Sequence, residues 1–316
     1  MRGPHPSTAG RRFDVVGVGT SSVDHLCVVR RHPRLDSKQE LIAYDCQPGG
    51  QIPTALVALQ RWGLRTAYVG AFGDDTGGKL AHESLARDGV DLGAAPTRPG
   101  CRQPVSVILI DEVSGERSVL WQRVPELVLH ADDIAPEVIT AGRVLLMDAV
   151  DIRTAITLAT AAKAARMLTV LDTDAPGPGI DELLPLTDVL IVAAEFPARL
   201  TGLTDLRAAL RESARRGPAI VGVTLGPGGA LAYADGTFHY VPAFRIPVVD
   251  STGAGDIFHA GSIYGLLHEW PLDVVLRFAA AAAALKCEQL GGRPGIPALD
   301  RALALAGLQR RLPSAT

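Results

Sequence analysis

The sequence lacks the features typical of membrane, secreted and nucleic-acid-binding proteins. Its longest strongly apolar run, 278–285, falls far short of the ~18 residues that span a bilayer. The first twelve residues lack an apolar core of signal-peptide length, and the four cysteines form no CxxC pair. The formal net charge is only −3, without a long basic block. We therefore expect a cytoplasmic protein with reduced thiols, whose partner is neither nucleic acid nor a membrane.

Length and composition predict a globular protein with a sizeable core. The chain has 316 residues, of which 47% are hydrophobic and 21% charged, close to the usage of ordinary globular proteins. This length fits about two domains, or one large α/β domain with an insertion. We interpret the polar residues 1–12 as a disordered tail and residues 13–316 as one domain.

Short β-branched and aliphatic runs alternate with amphipathic segments along the chain. This pattern predicts an α/β fold in which a parallel sheet is covered by crossover helices. The predicted strands are 14–18, 66–69, 144–147, 168–171, 189–192 and 220–224. The predicted helices are 53–62, 152–166, 206–215, about 256–267, 272–290 and 298–306.

Two segments, about 26–48 and 98–124, interrupt this alternation. Within the second, the runs VSVILID and RSVLWQR flank a turn that contains Gly115, which predicts a β-hairpin. Because both segments lie outside the regular order, we predict that they pair as a small β-sheet. Such a sheet would act as a lid over a site or as a subunit interface.

The segment DSTGAGD, 250–256, carries the clearest chemical signal. Small residues before an apolar helix let the backbone approach an anion, and the free N–H groups of the helix start favour negative charge. Asp256 in the first turn would then accept a proton from an attacking hydroxyl. The alternative is that Thr252 or Asp250 only caps the helix and that the glycines only form a turn.

Five segments, in this order along the chain, resemble the pfkB, or ribokinase-like, carbohydrate kinase family. They are VVGVGTSSVD (15–24), GGQIPTALVALQRWG (49–63), VGAFGDDTGG (69–78), VTLGPGGALA (223–232) and DSTGAGDIFHAG (250–261). The resemblance implies a central, mostly parallel Rossmann-like sheet flanked by helices, with a small β-sheet lid. It also implies transfer of the γ-phosphoryl group of ATP to an alcohol, such as the primary alcohol of a sugar or sugar-like small molecule.

The resemblance also assigns expected roles to single residues. Asp256 would be the catalytic base, with Gly253, Ala254 and Gly255 holding the phosphate charge that develops. Substrate hydroxyls would be bound by Asp24, Gly49, Gly50, Gln51 and Thr54, and the nucleotide by Thr224, Gly226, Gly228, Gly253 and Gly255. Magnesium would bridge the ATP phosphates. Asp250 and the Thr252 carbonyl resemble positions that bind a monovalent cation such as K⁺.

Two positions depart from the family pattern. Thr54 stands where many members have a substrate-binding asparagine, so ribose does not follow as the substrate. The Asn-x-x-Glu motif, which organises magnesium and phosphate, falls at Ala193–Phe196, where both polar residues are missing. Glu195 lies one position away and is the candidate for the magnesium role.

The leading hypothesis is therefore an ATP-dependent carbohydrate kinase, and two alternatives stay open. One is a nucleoside kinase of the adenosine type on the same fold, with Trp121 as the candidate clamp for the base. The other is a catalytically weak, sugar-binding regulatory protein, since the Asn-x-x-Glu pair is absent. We also expect a homodimer that forms through the lid strands.

Overall fold

The computed structural model describes residues 10–309. Residues 1–9 of the predicted tail and residues 310–316 of the predicted domain lie outside this range. No helix within 10–309 is long and apolar enough to cross a membrane.

The described chain folds into strands and helices in the alternating order that the sequence predicts. In chain order the strands are β1 Phe13–Val18, β2 Ser22–Val29, β3 Ala43–Gly49, β4 Thr66–Val69, β5 Phe72–Gly73, β6 Thr97–Arg98, β7 Val105–Asp111, β8 Arg117–Trp121, β9 Gly142–Met147, β10 Leu168–Leu171, β11 Val189–Ala193, β12 Ile220–Thr224, β13 Ala230–Ala234 and β14 Thr237–Val241. The helices are α1 Gln51–Arg61, α2 Thr76–Arg87, α3 Pro136–Thr140, α4 Ile152–Ala164, α5 Ile180–Leu183, α6 Glu195–Thr201, α7 Leu206–Arg215, α8 Ala254–Leu267, α9 Leu272–Lys286 and α10 Leu299–Leu305.

Eight strands form the large sheet, in the order β14-β13-β12-β11-β10-β9-β1-β4. The six strands from β12 to β4 run parallel, and β13 and β14 extend the sheet antiparallel at one edge. This arrangement confirms the predicted α/β class and the mostly parallel sheet. All six predicted strands belong to its parallel part.

Helices cover both faces of the large sheet. Successive residues of a strand alternate between two cores: Val15 packs with α1 and α8, whereas Val16 packs on the other side with α4. Because both faces are buried, the strands are almost continuously apolar, which is why they could be found from sequence.

Helix α9 ends at Lys286, four residues before the predicted end at 290. After this helix the backbone pairs with the segment in front of α8: the N–H groups of Val249 and Asp250 both donate to the Cys287 carbonyl, at 2.8 and 3.2 Å. This pairing requires that the helix has stopped. It also brings the end of α9 directly beneath the 250–256 loop.

A separate four-stranded sheet has the order β3-β2-β7-β8 and is called the small sheet below. Strand β2 lies in its centre, antiparallel to β3 and parallel to β7. It begins at Ser22, before the predicted lid segment 26–48, so that Asp24 is part of the small sheet. Strands β7 and β8 form the predicted hairpin around Gly115.

Candidate active site

A cleft of about 460 Å³ lies between the carboxyl edge of the large sheet and the small sheet. One wall is formed by segments that follow parallel strands, such as Gly19, Asp148 and Asp174, together with the start of α8. The other wall is formed by the small sheet, which contributes Asp24, Ser106, Arg117 and Trp121 among others. In open parallel sheets ligands bind at this edge, so the cleft is the candidate active site.

The start of α8 opens into this cleft. Gly253 precedes the helix with φ +80°, and a Cβ there would lie 2.8 Å from the Cα of Gly292, so only glycine fits. A Cβ at Gly255 would meet no atom within 4 Å, so the space above it is open. Among residues 10–309, the N–H groups of Gly255 and Asp256 have no acceptor. The buried Thr252 Oγ1 also has no described partner. These N–H and hydroxyl groups are suited to donate hydrogen bonds to a bound anion.

Asp256 lies in the first turn of α8 and lines the cleft. Burial raises the pKa of its carboxyl group to about 8, and repulsion from Asp172 contributes, while His259 and Arg117 act in the opposite direction. A carboxyl group with such a pKa can change its protonation state near neutral pH. It is therefore suited to proton transfer.

Three further carboxyl groups lie at the carboxyl edge of the sheet: Asp148 follows β9, and Asp172 and Asp174 follow β10. Burial raises the pKa of Asp148 to about 6, and burial together with its two acidic neighbours raises the pKa of Asp172 well above its usual value. The amide of Gln51 donates to Asp172 at 3.4 Å and to Asp174 at 3.3 Å. The predicted residue Gln51 thus links α1 to this acidic cluster.

Asp24 points into the cleft from the small sheet. Its carboxylate accepts a hydrogen bond from Ser22 Oγ at 2.9 Å, and burial raises its pKa. A Cβ at Gly49 would lie 2.1 Å from Asp24 Oδ2, so Gly49 makes room for this carboxylate on the neighbouring strand. Gly49 does not itself line the cleft, whereas Gly50, Gln51 and Thr54 do.

Among the predicted nucleotide and metal residues, Gly253 and Thr252 line this cleft, whereas Thr224, Gly226, Gly228, Gly255, Glu195 and Asp250 do not. Thr224 ends β12 beside the end of β11, and Gly226 and Gly228 are exposed in the turn that follows. Glu195 begins α6 with an exposed carboxylate that has no ion-pair partner within the described chain. Asp250 is completely buried below the 250–256 loop.

Three basic residues near the site were not predicted from sequence. Arg117 lines the cleft from β8 and donates to Ser251 Oγ at 3.0 Å. The buried Arg293 donates to the Gly49 carbonyl at 2.9 Å, and its charge acts on Asp24. The buried Lys286 donates to the Asp250 carbonyl at 2.8 Å. Only Arg117 could have been placed from the sequence, because it lies on the same face of a strand as Val119 and Trp121, two and four residues further along.

The sequence profile described as "pfkB family carbohydrate kinase" matches residues 12–299. A ribokinase of Haemophilus influenzae is 26% identical over 90% of this chain and 96% of its own length. An acarbose 7(IV)-phosphotransferase of an Actinoplanes species is 28% identical over 92% of this chain and 97% of its own. The structure of Arabidopsis thaliana ribokinase complexed with ribose and ATP superposes with a TM-score of 0.78 at 25% identity, covering 94% of this chain and 99% of that one.

The repulsion between Asp172 and Asp256 predicts a pH effect. Asp256 is the base expected from the sequence, and a base must be ionised to accept a proton, so we expect kcat/KM to rise with pH through the raised pKa of Asp256. Replacement of Asp172 by asparagine removes the repelling charge, which lowers the pKa of Asp256. We expect Asp172→Asn to move the rising limb of kcat/KM to lower pH.

The measurement is a pH profile of kcat/KM with the acceptor that is phosphorylated most efficiently. The exposed Asp132 has no part in the cleft, so Asp132→Asn serves as the matched control and should keep the wild-type profile. A rising limb that stays in place in Asp172→Asn would contradict the assigned coupling.

Proposed function

The chain belongs to the pfkB family of carbohydrate kinases, and from this premise we propose that it transfers the γ-phosphoryl group of ATP to a hydroxyl group of a sugar or sugar-like small molecule. The acceptor hydroxyl is a primary alcohol, and Asp256 is the general base. The observation that carries this proposal is that Asp256 lines the cleft at a helix start where the N–H groups of Gly255 and Asp256 have no acceptor among residues 10–309.

The 250–256 loop is suited to receive the terminal phosphoryl group. Its free N–H groups and the dipole of α8 stabilise negative charge that grows on the phosphoryl oxygens. Arg117 reaches this loop from the small sheet, donates to Ser251 Oγ at 3.0 Å and adds a positive charge. The glycine turn at Gly226 and Gly228 extends this site along the sheet edge, where the rest of the nucleotide would lie.

Magnesium is expected with the nucleotide, and the chain offers a suitable donor. A magnesium ion on ATP phosphates uses few protein ligands and keeps several waters. The carboxylate of Glu195 is exposed at the carboxyl edge of the sheet and has no ion-pair partner among residues 10–309, so it fits such a water-mediated contact. When bound, magnesium would neutralise phosphate charge.

The opposite part of the cleft is suited to a polyhydroxylated acceptor. Asp24 and Gln51 offer a carboxylate and an amide, and Thr54, Ser22 and Ser106 add hydroxyl groups. Such groups form hydrogen bonds with several sugar hydroxyls at once. Asp24 thus orients the acceptor while Asp256 removes the proton of the reacting hydroxyl as the phosphoryl group is transferred.

We expect Asp256→Asn to bind nucleotide much as the wild-type protein does but to lose at least about 100-fold in turnover, since the amide cannot accept the proton. ADP release measures turnover, and titration calorimetry with MgATP measures binding. Asp132→Asn again serves as the control. Turnover near the wild-type value in Asp256→Asn would remove the proposed base.

The acceptor class is tested by a panel of sugars and nucleosides. Trp121 is exposed on the cleft side of β8, so a nucleoside base stacked on its ring is the second candidate. We expect release of ADP with sugars and little with nucleosides. The reverse pattern would favour a nucleoside kinase, and thermal stabilisation by sugars without ADP release would favour a sugar-binding regulatory protein.

The outer face of the small sheet supports a homodimer. Tyr44 and Leu120 are exposed there, beside the half-buried Val107 and Leu109, and this face points away from the cleft. We expect Leu120→Asp to shift the mass measured by light scattering from dimer to monomer, because burial of the new charge is costly. The exposed Leu203 lies elsewhere, and Leu203→Asp should not change the mass. A monomeric wild-type protein would refute this assembly.

The cytoplasmic location stays a prediction.

A further inference from the structure

Lys286 is a completely buried lysine directly beneath the 250–256 loop. It is the last residue of α9, and its Nζ donates to the carbonyl oxygen of Asp250 at 2.8 Å and to that of Gln289 at 3.4 Å. The Asp250 carboxylate lies 4.0 Å from the same nitrogen. A buried ammonium group is costly unless it is paired and hydrogen-bonded, and here it is both.

The resemblance to the kinase family implies a monovalent cation at this place, held by Asp250 and the Thr252 carbonyl. The residues present do not fit such an ion. Both carboxylate oxygens of Asp250 already accept backbone N–H groups, from Thr252 at 2.8 Å and from Gly291 at 2.7 Å. The backbone carbonyl of Asp250 is taken by the Lys286 ammonium. A second cation among these oxygens would be repelled by the ammonium at short range.

We propose that the ammonium group of Lys286 replaces the monovalent cation. It is a covalently attached positive charge behind the phosphate-binding loop, so phosphoryl transfer at this loop does not require K⁺. This inference rests on the proposed binding of the ATP phosphates at 250–256. Lys286 acts here as a positioning residue, because it touches the loop and not the reacting atoms.

The contacts of Lys286 explain how its charge would act on the site. By holding the Asp250 carbonyl it fixes the start of the loop, and the Asp250 carboxylate in turn holds the Thr252 N–H. The N–H groups of Gly255 and Asp256, which have no acceptor among residues 10–309, then stay available to a bound phosphate. The Lys286 charge also interacts with Asp256 at the start of α8, so it contributes to the potential that a phosphoryl group would meet there.

The first test uses the wild-type protein in buffers of equal ionic strength that contain either KCl or tetramethylammonium chloride. Tetramethylammonium is too large for a site lined by carbonyl oxygens. We expect the Kd for MgATP, measured by calorimetry, and the Tm to agree in the two buffers within about twofold and about one degree. Binding of MgATP that tightens tenfold or more with K⁺ would overturn the proposal.

The second test uses Lys286→Met, which keeps the length of the side chain and removes its charge. We expect MgATP binding at least roughly tenfold weaker in tetramethylammonium chloride, with recovery of affinity and a higher Tm in KCl or ammonium chloride. The exposed Lys79 offers the matched control, since Lys79→Met should behave as the wild-type protein in both buffers. Rescue by a small cation distinguishes the replacement of an ion from a merely structural role.

Unchanged MgATP binding in Lys286→Met, or a loss that neither K⁺ nor NH₄⁺ restores, would overturn the proposal. If Lys286→Met does not fold, the comparison of MgATP binding by the wild-type protein in KCl and in tetramethylammonium chloride decides whether the proposal holds. If MgATP binds to neither protein in any buffer, the proposed function fails, whereas the effect of K⁺ on the Tm of Lys286→Met still reports on the cation position.

Discussion

The candidate site depends on how the buried Asp250 holds the loop in front of α8. Its two carboxylate oxygens accept the Thr252 and Gly291 N–H groups, and its carbonyl accepts the Lys286 ammonium. These bonds join two loops that are 41 residues apart in sequence. Since each group is buried, loss of one partner would leave a polar or charged group unsatisfied, which costs more than the bond itself contributes. The direction of the α8 N-terminus, and with it the position of Asp256, follows from this arrangement.

A second constraint is the accumulation of carboxyl groups around the cleft. Asp148, Asp172, Asp174 and Asp256 lie at the same edge of the sheet, and burial with mutual repulsion raises the pKa values of Asp148, Asp172 and Asp256. Such a site disfavours a bare anion and favours one that arrives with its own cation, as ATP does with magnesium. Two positive groups lie near these carboxyl groups: Arg117 extends from the small sheet to Ser251, and Lys286 lies beneath the 250–256 loop.

The sequence predicted the parts of this protein that depend on local patterns. Buried parallel strands are apolar throughout, so all six predicted strands were found in the large sheet. Helix α2 was not predicted, since two glycines lie in its first turn, and the edge strands β13 and β14 were not predicted either, although β13 is an apolar run rich in alanine, which does not favour strands. The 250–256 loop was found because small residues precede an apolar helix. Arg293 and Lys286 could not be found, because their roles arise from contacts with residues far away along the chain, Gly49 and Asp250. The predicted end of α9 was wrong for the same reason, because the helix stops where the Cys287 carbonyl pairs with the distant Val249 and Asp250.

The central claim is that the terminal phosphoryl group of ATP lies at the start of α8 with Asp256 beside the acceptor hydroxyl. The most direct measurement is a crystal structure with a non-hydrolysable ATP analogue, magnesium and the best acceptor. The account predicts that the γ-phosphate accepts hydrogen bonds from the backbone at Gly255, with the acceptor hydroxyl about 3 Å from the Asp256 carboxylate. A triphosphate bound away from the 250–256 loop, or an acceptor hydroxyl that faces another residue, would contradict it.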